Sequence, residues 1–334
     1  MILPFVVMSV WSKSFFVFLL FPINLYIYGN DFVGNFLPVR GKVIYNVAYK
    51  ETPQGILTLD VYQPDSMPNA KPSPVVVFIH GGSWMRGNKE EISHGFQKEC
   101  LKRLLKEGIA VVSIDYRLVD NKCSVIYPWP LADCKDAVRW TKCVASQYHF
   151  DTNRIAVMGT SAGAHLALMT AYAPDGICIG DPRYTQWNAK VRCVVDIYGP
   201  THLGKILKAN LPRPLMGIIS PFFPKETIEM RQSLLWAFTG KSANQPNRRH
   251  QQCLLYSPCV YTKDAIPTIV FHGSKDKTVP LSQTLLLEKE MKKNGKHIEI
   301  HILEGEDHCF PSISQEGKKN LCDQLADFLN RCLL

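Results

Sequence analysis

The chain has 334 residues, 46% hydrophobic and 20% charged, with Gly and Pro spread along its length. That composition excludes a disordered or fibrous protein and suits one large α/β unit built around a shared core. The formal net charge is +9, but no run of five or more Lys/Arg accompanies it, so Arg248-Arg249 and Lys318-Lys319 read as solvated surface charge and no nucleic-acid partner is expected.

Residues 1–28 are almost continuously apolar around a single charge, Lys13. With Met8 to Ser14 as a short n-region and Phe15 to Tyr28 as the apolar run, residues 1–30 are expected to be a signal peptide, or a membrane anchor if cleavage fails. Ile27 stands where a small residue would favour cleavage near Gly29. On either reading the body, residues 31–334, is expected to be exported, with membrane association only through residues 1–28.

Val43 to Tyr49 and Ile56 to Tyr62 alternate in polarity and flank Pro53-Gln54-Gly55, which predicts an antiparallel hairpin at a sheet edge. Val75 to Ile79 is apolar on both faces, as a doubly covered parallel strand must be, and ends at His80-Gly81-Gly82. A helix over about 92–107, a strand over Ile109 to Ile114 and a helix over Ala132 to Tyr148 follow. Arg154 to Met158 predicts another buried strand, running into a Gly-rich turn and a helix over about 162–173. Later strands are Cys193 to Tyr198, Thr268 to His272 and Ile298 to Leu303, with a last helix over about 314–331. The alternation predicts a doubly wound, mostly parallel sheet. Between Thr201 and Ser257 the rhythm lapses and apolar residues such as Ile206, Leu207, Leu215, Phe222 and Phe223 crowd together. Residues 201–257 are therefore read as an inserted helical cap, placed where it could wall a crevice beyond the carboxyl ends of the strands.

Gly159-Thr160-Ser161-Ala162-Gly163 joins a buried strand to a helix. A sharp turn at that junction would expose the Ser161 hydroxyl at a helix N-terminus, the requirement for a nucleophile in acyl transfer. In this architecture the acid and then the base follow the serine along the chain. Asp276, directly after the strand ending at His272, is the candidate acid, ahead of Asp264 and Asp307. His308, on the loop after the last strand, is the candidate base; His165 is expected to pack against the scaffold and His272 to belong to the strand end. His80-Gly81-Gly82 is the candidate oxyanion loop, with Gly81, Gly82 and Ala162 as the backbone donors. Trp84 is a candidate wall of the substrate pocket, with a buried packing aromatic as the competing reading.

Eleven cysteines suit a disulfide-permissive compartment, and their odd number leaves at least one thiol unpaired within the chain. Cys253 with Cys259 and Cys178 with Cys193 are the local pairings expected. Cys309 beside the candidate base could be a bridge partner, a redox-sensitive thiol or a buried free one. No cysteine spacing suits zinc, and His297 and His301 lack neighbouring ligands, so no metal is expected. The sequence contains no Asn-x-Ser/Thr acceptor, which favours an unglycosylated protein.

The ordered set His80-Gly81-Gly82-Ser83-Trp84, Asp115-Tyr116-Arg117, Gly159 to Leu166 and His272-Gly273 to Pro280 resembles the hormone-sensitive-lipase-like branch of the α/β-hydrolases. Within that branch it is most similar to feruloyl-esterase-like (BD-FAE-type) bacterial carboxylesterases, with kynurenine formamidases and isoprenylcysteine methylesterases as near relatives. The resemblance implies a serine carboxylesterase acting on small acyl or aromatic esters without a cofactor, with a small-molecule ester as its partner. An amidase or formamidase is the alternative, lowered because Ser83 stands where the formamidases usually have Tyr. A catalytically silent binding module is the reading outside enzymes. By resemblance Asp115, Arg117 and Asp133 are structural.

Overall fold

The computed structural model describes residues 41–65, 71–120, 124–209, 225–240 and 245–334. Both the leader expected over 1–30 and the apolar stretch 210–224 of the expected cap lie outside the described residues.

All eight strands expected from the pattern form, and they join in one sheet of order β1-β2-β4-β3-β5-β6-β7-β8. β1 (Gly41–Thr52) and β2 (Gly55–Pro64) make the edge hairpin, and β2 runs antiparallel to β4 (Ala110–Ile114). From β4 onward every pairing is parallel, through β3 (Ser73–Ile79), β5 (Phe150–Thr160), β6 (Val194–Ile197), β7 (Thr268–Gly273) and β8 (Ile298–Leu303). Covering both faces explains the unbroken apolar runs. Along β3, Val75, Val77 and Ile79 face one core while Val76 and Phe78 face the other. The first core is closed by α2 (Trp129–Cys143), α3 (Ala162–Tyr172) and α6 (Ser282–Lys293), and the second by α1 (Gly95–Lys106) and α7 (Gln315–Leu333).

Between β6 and β7 lie α4 (Lys225–Thr239) and α5 (Pro246–Leu255). Leu234, Leu235, Phe238 and Cys253 are buried in the first core, so these helices are packed onto the body. Arg117 and Asp133 make a buried fork, Nε to Oδ2 at 2.8 Å and Nη2 to Oδ1 at 2.7 Å, and Lys50 reaches Asp133 at 2.7 Å and Asp136 at 2.6 Å. These pairs tie α2 to β1 and to the segment after β4, a structural use of the charges.

The cysteine pairings expected from local spacing do not form: Cys178, Cys193, Cys253 and Cys259 are all free thiols. Cys178 belongs to the core on one face of the sheet and Cys193 to the core on the other, so the sheet itself separates them. Cys253 is buried in the first core, while the turn carrying Cys259 is held by its N–H donating to the Thr201 carbonyl at 3.1 Å. Cys193 instead meets the side chain of Cys332, and a second sulfur pair brings Cys100 on α1 to Cys322 on α7, 2.7 Å apart and 222 residues apart in sequence.

Candidate active site

β5 delivers its last residue, Thr160, to the sheet's carboxyl edge, and α3 begins at Ala162. Between them Ser161 takes φ 50° and ψ −116°, a backbone shape that costs a non-Gly residue of order 1–3 kcal/mol and persists only where its surroundings impose it. Two contacts impose it. The Ser161 N–H donates to the Ile197 carbonyl on β6 at 2.8 Å, and α3 presses so closely on its neighbours that side chains are excluded at the flanking glycines. A Cβ on Gly163 would stand 2.1 Å from the Ile79 oxygen, and one on Gly159 would stand 2.3 Å from the Gly163 carbonyl group. Ser161 and His308 both keep partial exposure at this edge.

His308, on the loop after β8, receives the Ser161 hydroxyl at its Nε2 at 3.0 Å, and its Nδ1–H donates to Asp276 Oδ2 at 2.7 Å. The partners dictate this tautomer, since a carboxylate can only accept from Nδ1. Asp276 is held in turn. Its Oδ1 accepts the N–H groups of Thr278 at 2.9 Å and Val279 at 2.7 Å, and its side chain is fully buried. Burial pushes the carboxyl up, but hydrogen bonds from His272 and His308 outweigh it and bring Asp276 down to about 2. His272 contributes the weaker contact, because its Nε2–H points mainly at the Val279 carbonyl, 2.7 Å away, with Asp276 Oδ2 at 3.4 Å. Asp307 is not an alternative acid here: its Oδ1 accepts the backbone N–H groups of Lys277 and His308 at 2.9 and 2.8 Å, which ties the acid loop to the base loop. Asp264 ends a short turn before β7.

The oxyanion loop differs in detail from expectation. Gly81 is not a free donor, because its N–H donates to Glu91 Oε2 at 2.8 Å. The carbonyls of the loop are also occupied: Tyr116 donates its hydroxyl to the His80 and Gly81 oxygens at 3.1 and 3.3 Å, and His80 Nδ1–H donates to the Gly81 oxygen at 2.8 Å. Burial lowers His80 to about 4, so this imidazole is neutral and structural at ordinary pH. Among the described residues no acceptor meets the N–H of Gly82, Ser83 or Ala162. The N–H groups of Gly82 and Ala162, two of the expected donors, are thus unoccupied, and so is that of Ser83, whereas that of Gly81 is taken. Gly82 has φ +100°, and a Cβ there would lie 2.1 Å from the Arg86 oxygen.

Trp84 is 4% exposed and sits in an aromatic cluster with His165, Tyr127, Phe238 and Tyr256. Its indole N–H donates to His165 Nδ1 at 3.2 Å, and His165 Nε2–H donates to the Tyr256 carbonyl at 2.7 Å. The ring thus joins α3 to α4 and the chain after α5, which is the packing reading and not the pocket wall. Cys309 is an unbridged thiol on an exposed residue, with its sulfur enclosed: burial pushes it up to about 12 against a hydrogen bond with Tyr198. Two groups escaped the sequence reading, Ser83 and Glu91. Nothing in the sequence marked Glu91, which comes from a short turn at Lys89–Ser93 well past the Gly-Gly loop.

The BD-FAE family model matches residues 59–291, and the dienelactone hydrolase family model matches residues 257–330. The chain is similar to esterase LipC of Mycobacterium tuberculosis, 26% identical over 293 residues, covering 85% of this chain and 64% of that protein. Esterase LipQ of the same organism is 23% identical over 273 residues, covering 81% and 58%. The chain thus spans about 60% of the length of these curated relatives. Among solved structures, propionate-bound Thermogutta terrifontis esterase 2 superposes with TM-score 0.65 at 23% identity over 88% of this chain and 95% of that one. A truncated carbohydrate esterase from gut microbiota superposes with TM-score 0.66 at 20% identity, covering 87% and 98%. These neighbours share the fold over 87–88% of this chain, and the family match spans residues that include His80 to Gly82, Ser161 and Asp276. The chain belongs to the BD-FAE family and has the α/β-hydrolase fold.

Proposed function

We propose that this protein is a serine carboxylesterase. The observation that carries the reading is the continuous chain from the Ser161 hydroxyl through His308 to Asp276, with links of 3.0 and 2.7 Å. His308 Nε2 takes the proton as Ser161 Oγ attacks the ester carbonyl, Asp276 stabilises the imidazolium so formed, and the N–H groups of Gly82, Ser83 and Ala162 receive the oxyanion. His308 then protonates the departing alcohol. Water, activated by the same imidazole, attacks the acyl-enzyme and releases the acid, restoring Ser161. The positive end of α3 lies at the oxyanion and favours its charge.

Family membership supports ester over amide hydrolysis, as does Ser83 in place of an aromatic hydroxyl. Small acyl or aromatic esters are the substrate class proposed. A chain-length series of p-nitrophenyl esters, with a feruloyl ester, an acetylated xylan and N-formylkynurenine in parallel, tests this. Turnover falling with acyl length, or highest on the feruloyl ester, supports the reading; turnover confined to the formamide refutes it. Export belongs to the same proposal and rests on the apolar residues 1–28. Fractionation of cells expressing the full chain, with N-terminal sequencing of the product, tests it; a cytosolic protein beginning at its first residue refutes it.

A further inference from the structure

Glu91 lies outside the Ser-His-Asp set, yet its carboxyl is enclosed beside that set, although the residue as a whole is only partly buried. Oε2 accepts the Gly81 N–H at 2.8 Å, and Oε1 accepts the hydroxyl of Thr160 at 2.5 Å and the amide of Gln97 at 3.3 Å. Gly81 heads the oxyanion loop, and Thr160 immediately precedes the nucleophile. One carboxyl therefore bridges the two backbone segments whose N–H groups must converge on one oxygen. The fit is close, since a Cβ on Gly81 would meet both the Thr160 oxygen and its hydroxyl at 3.1 Å.

We propose that Glu91 is a positioning residue that sets the spacing between the N–H groups of Gly82 and Ser83 and that of Ala162 by clamping Gly81 to Thr160. This rests on Ser161 as nucleophile. Because the loop carbonyls are already fixed by Tyr116 and His80, the Gly81 N–H is the remaining backbone handle through which the loop is referred to the elbow. Oxyanion donors act only when aimed at the charge that develops in the transition state, so a slack clamp lowers kcat and leaves ground-state binding almost unchanged. The buried carboxyl has a cost: burial raises Glu91 above the ordinary glutamate range against the pull of its hydrogen bonds and of His308. Three donors, from Gly81, Thr160 and Gln97, converge on this one side chain, which fixes the separation of the two backbone segments.

The test compares E91A, E91Q, T160V and S161A on p-nitrophenyl acetate, with thermal unfolding recorded for each. E91A is expected to lower kcat by about 30-fold with KM within about threefold, the pattern of a lost transition-state contact. E91Q is expected to recover most of the loss, since its oxygen accepts from Gly81 and its amide donates to a rotated Thr160 hydroxyl. T160V, which removes one end of the clamp and little volume, is expected to lower kcat by about fivefold with KM unchanged. The proposal is overturned by E91A within threefold of wild type, by a loss shared equally with KM, or by E91Q no better than E91A. If E91A does not fold, an unchanged kcat in T160V overturns it. S161A separates the two readings: residual turnover there removes the nucleophile assignment, whereas a dead S161A beside a fully active E91A removes only the role of Glu91.

Discussion

Asp276→Asn tests the geometry of the site severely because the structure dictates how the new amide must sit. Asp276 Oδ1 accepts two backbone N–H groups, from Thr278 and Val279, while Oδ2 faces His308 Nδ1. An asparagine that turned its NH2 toward Thr278 and Val279 would leave two donors unpaired, the buried one of Val279 alone at about 1–3 kcal/mol. The oxygen therefore stays with the backbone and the NH2 lands opposite His308 Nδ1. That nitrogen must then accept, the ring proton moves to Nε2, and the imidazole can no longer take the proton of Ser161. The wrong tautomer is worth on the order of 10⁴ in kcat, or about 5 kcal/mol of barrier. Stability changes as well. Asp276 titrates near 2 in the fold, below its unfolded value, so its contribution is present above the unfolded pKa and is lost as pH falls through about 2. The contribution is of order 2 kcal/mol near neutral pH. Steady-state kcat on p-nitrophenyl acetate and urea unfolding near pH 7 and near pH 3 measure both effects. A D276N enzyme within tenfold of wild-type kcat, folded normally, would refute the reasoning.

Gly163→Ala places a methyl group 2.1 Å from the Ile79 oxygen, so α3 must shift; a loss of about 1–3 kcal/mol in urea unfolding, together with a fall in kcat, is expected, and an unchanged protein would contradict the packing of the elbow. Asp196, fully buried on β6, is raised to about 6 by burial, against the pull of the Gly199 N–H and His272. Being raised, its contribution is present below the unfolded pKa and lost as pH climbs through about 6. D196N should therefore gain about 2–3 kcal/mol relative to wild type between about pH 4 and pH 8, and a pH-independent difference in unfolding free energy would contradict this. The Cys100 and Cys322 sulfurs, 2.7 Å apart, are expected to couple on treatment with oxidised glutathione, two thiols giving one disulfide and two reduced glutathiones. Peptide mapping should find them linked and should find neither linked to any other cysteine.

Most of the fold was legible because burial on both sheet faces leaves an unmistakable pattern. Val75 to Ile79 and Arg154 to Met158 are strands for the same reason, and the elbow between β5 and α3 follows from where the glycines fall. Asp276 and His308 were legible as the candidate acid and base through chain order and their position just past strands, and the structure brings both to Ser161. What sequence could not convey is which face of a wall a residue meets. Cys178 and Cys193 are close in sequence but lie on opposite sides of the sheet, while Cys100 and Cys322 meet between two helices on one side. Gly81 does not offer a free donor because its N–H is claimed by Glu91, a partner ten residues on that carries no motif. Trp84 was ambiguous because a large aromatic beside a catalytic loop suits a pocket or a core equally, and only the contacts with His165 and Phe238 decide.

The proposed esterase mechanism requires a covalent intermediate on Ser161. Incubation of the full chain with a p-nitrophenyl phosphonate, followed by intact mass and peptide mapping, tests it most directly. One adduct per chain is expected, on the peptide holding Ser161, with esterase activity lost in step and no labelling in S161A. An adduct on another residue, or an S161A protein that still hydrolyses esters at the wild-type rate, would contradict the account.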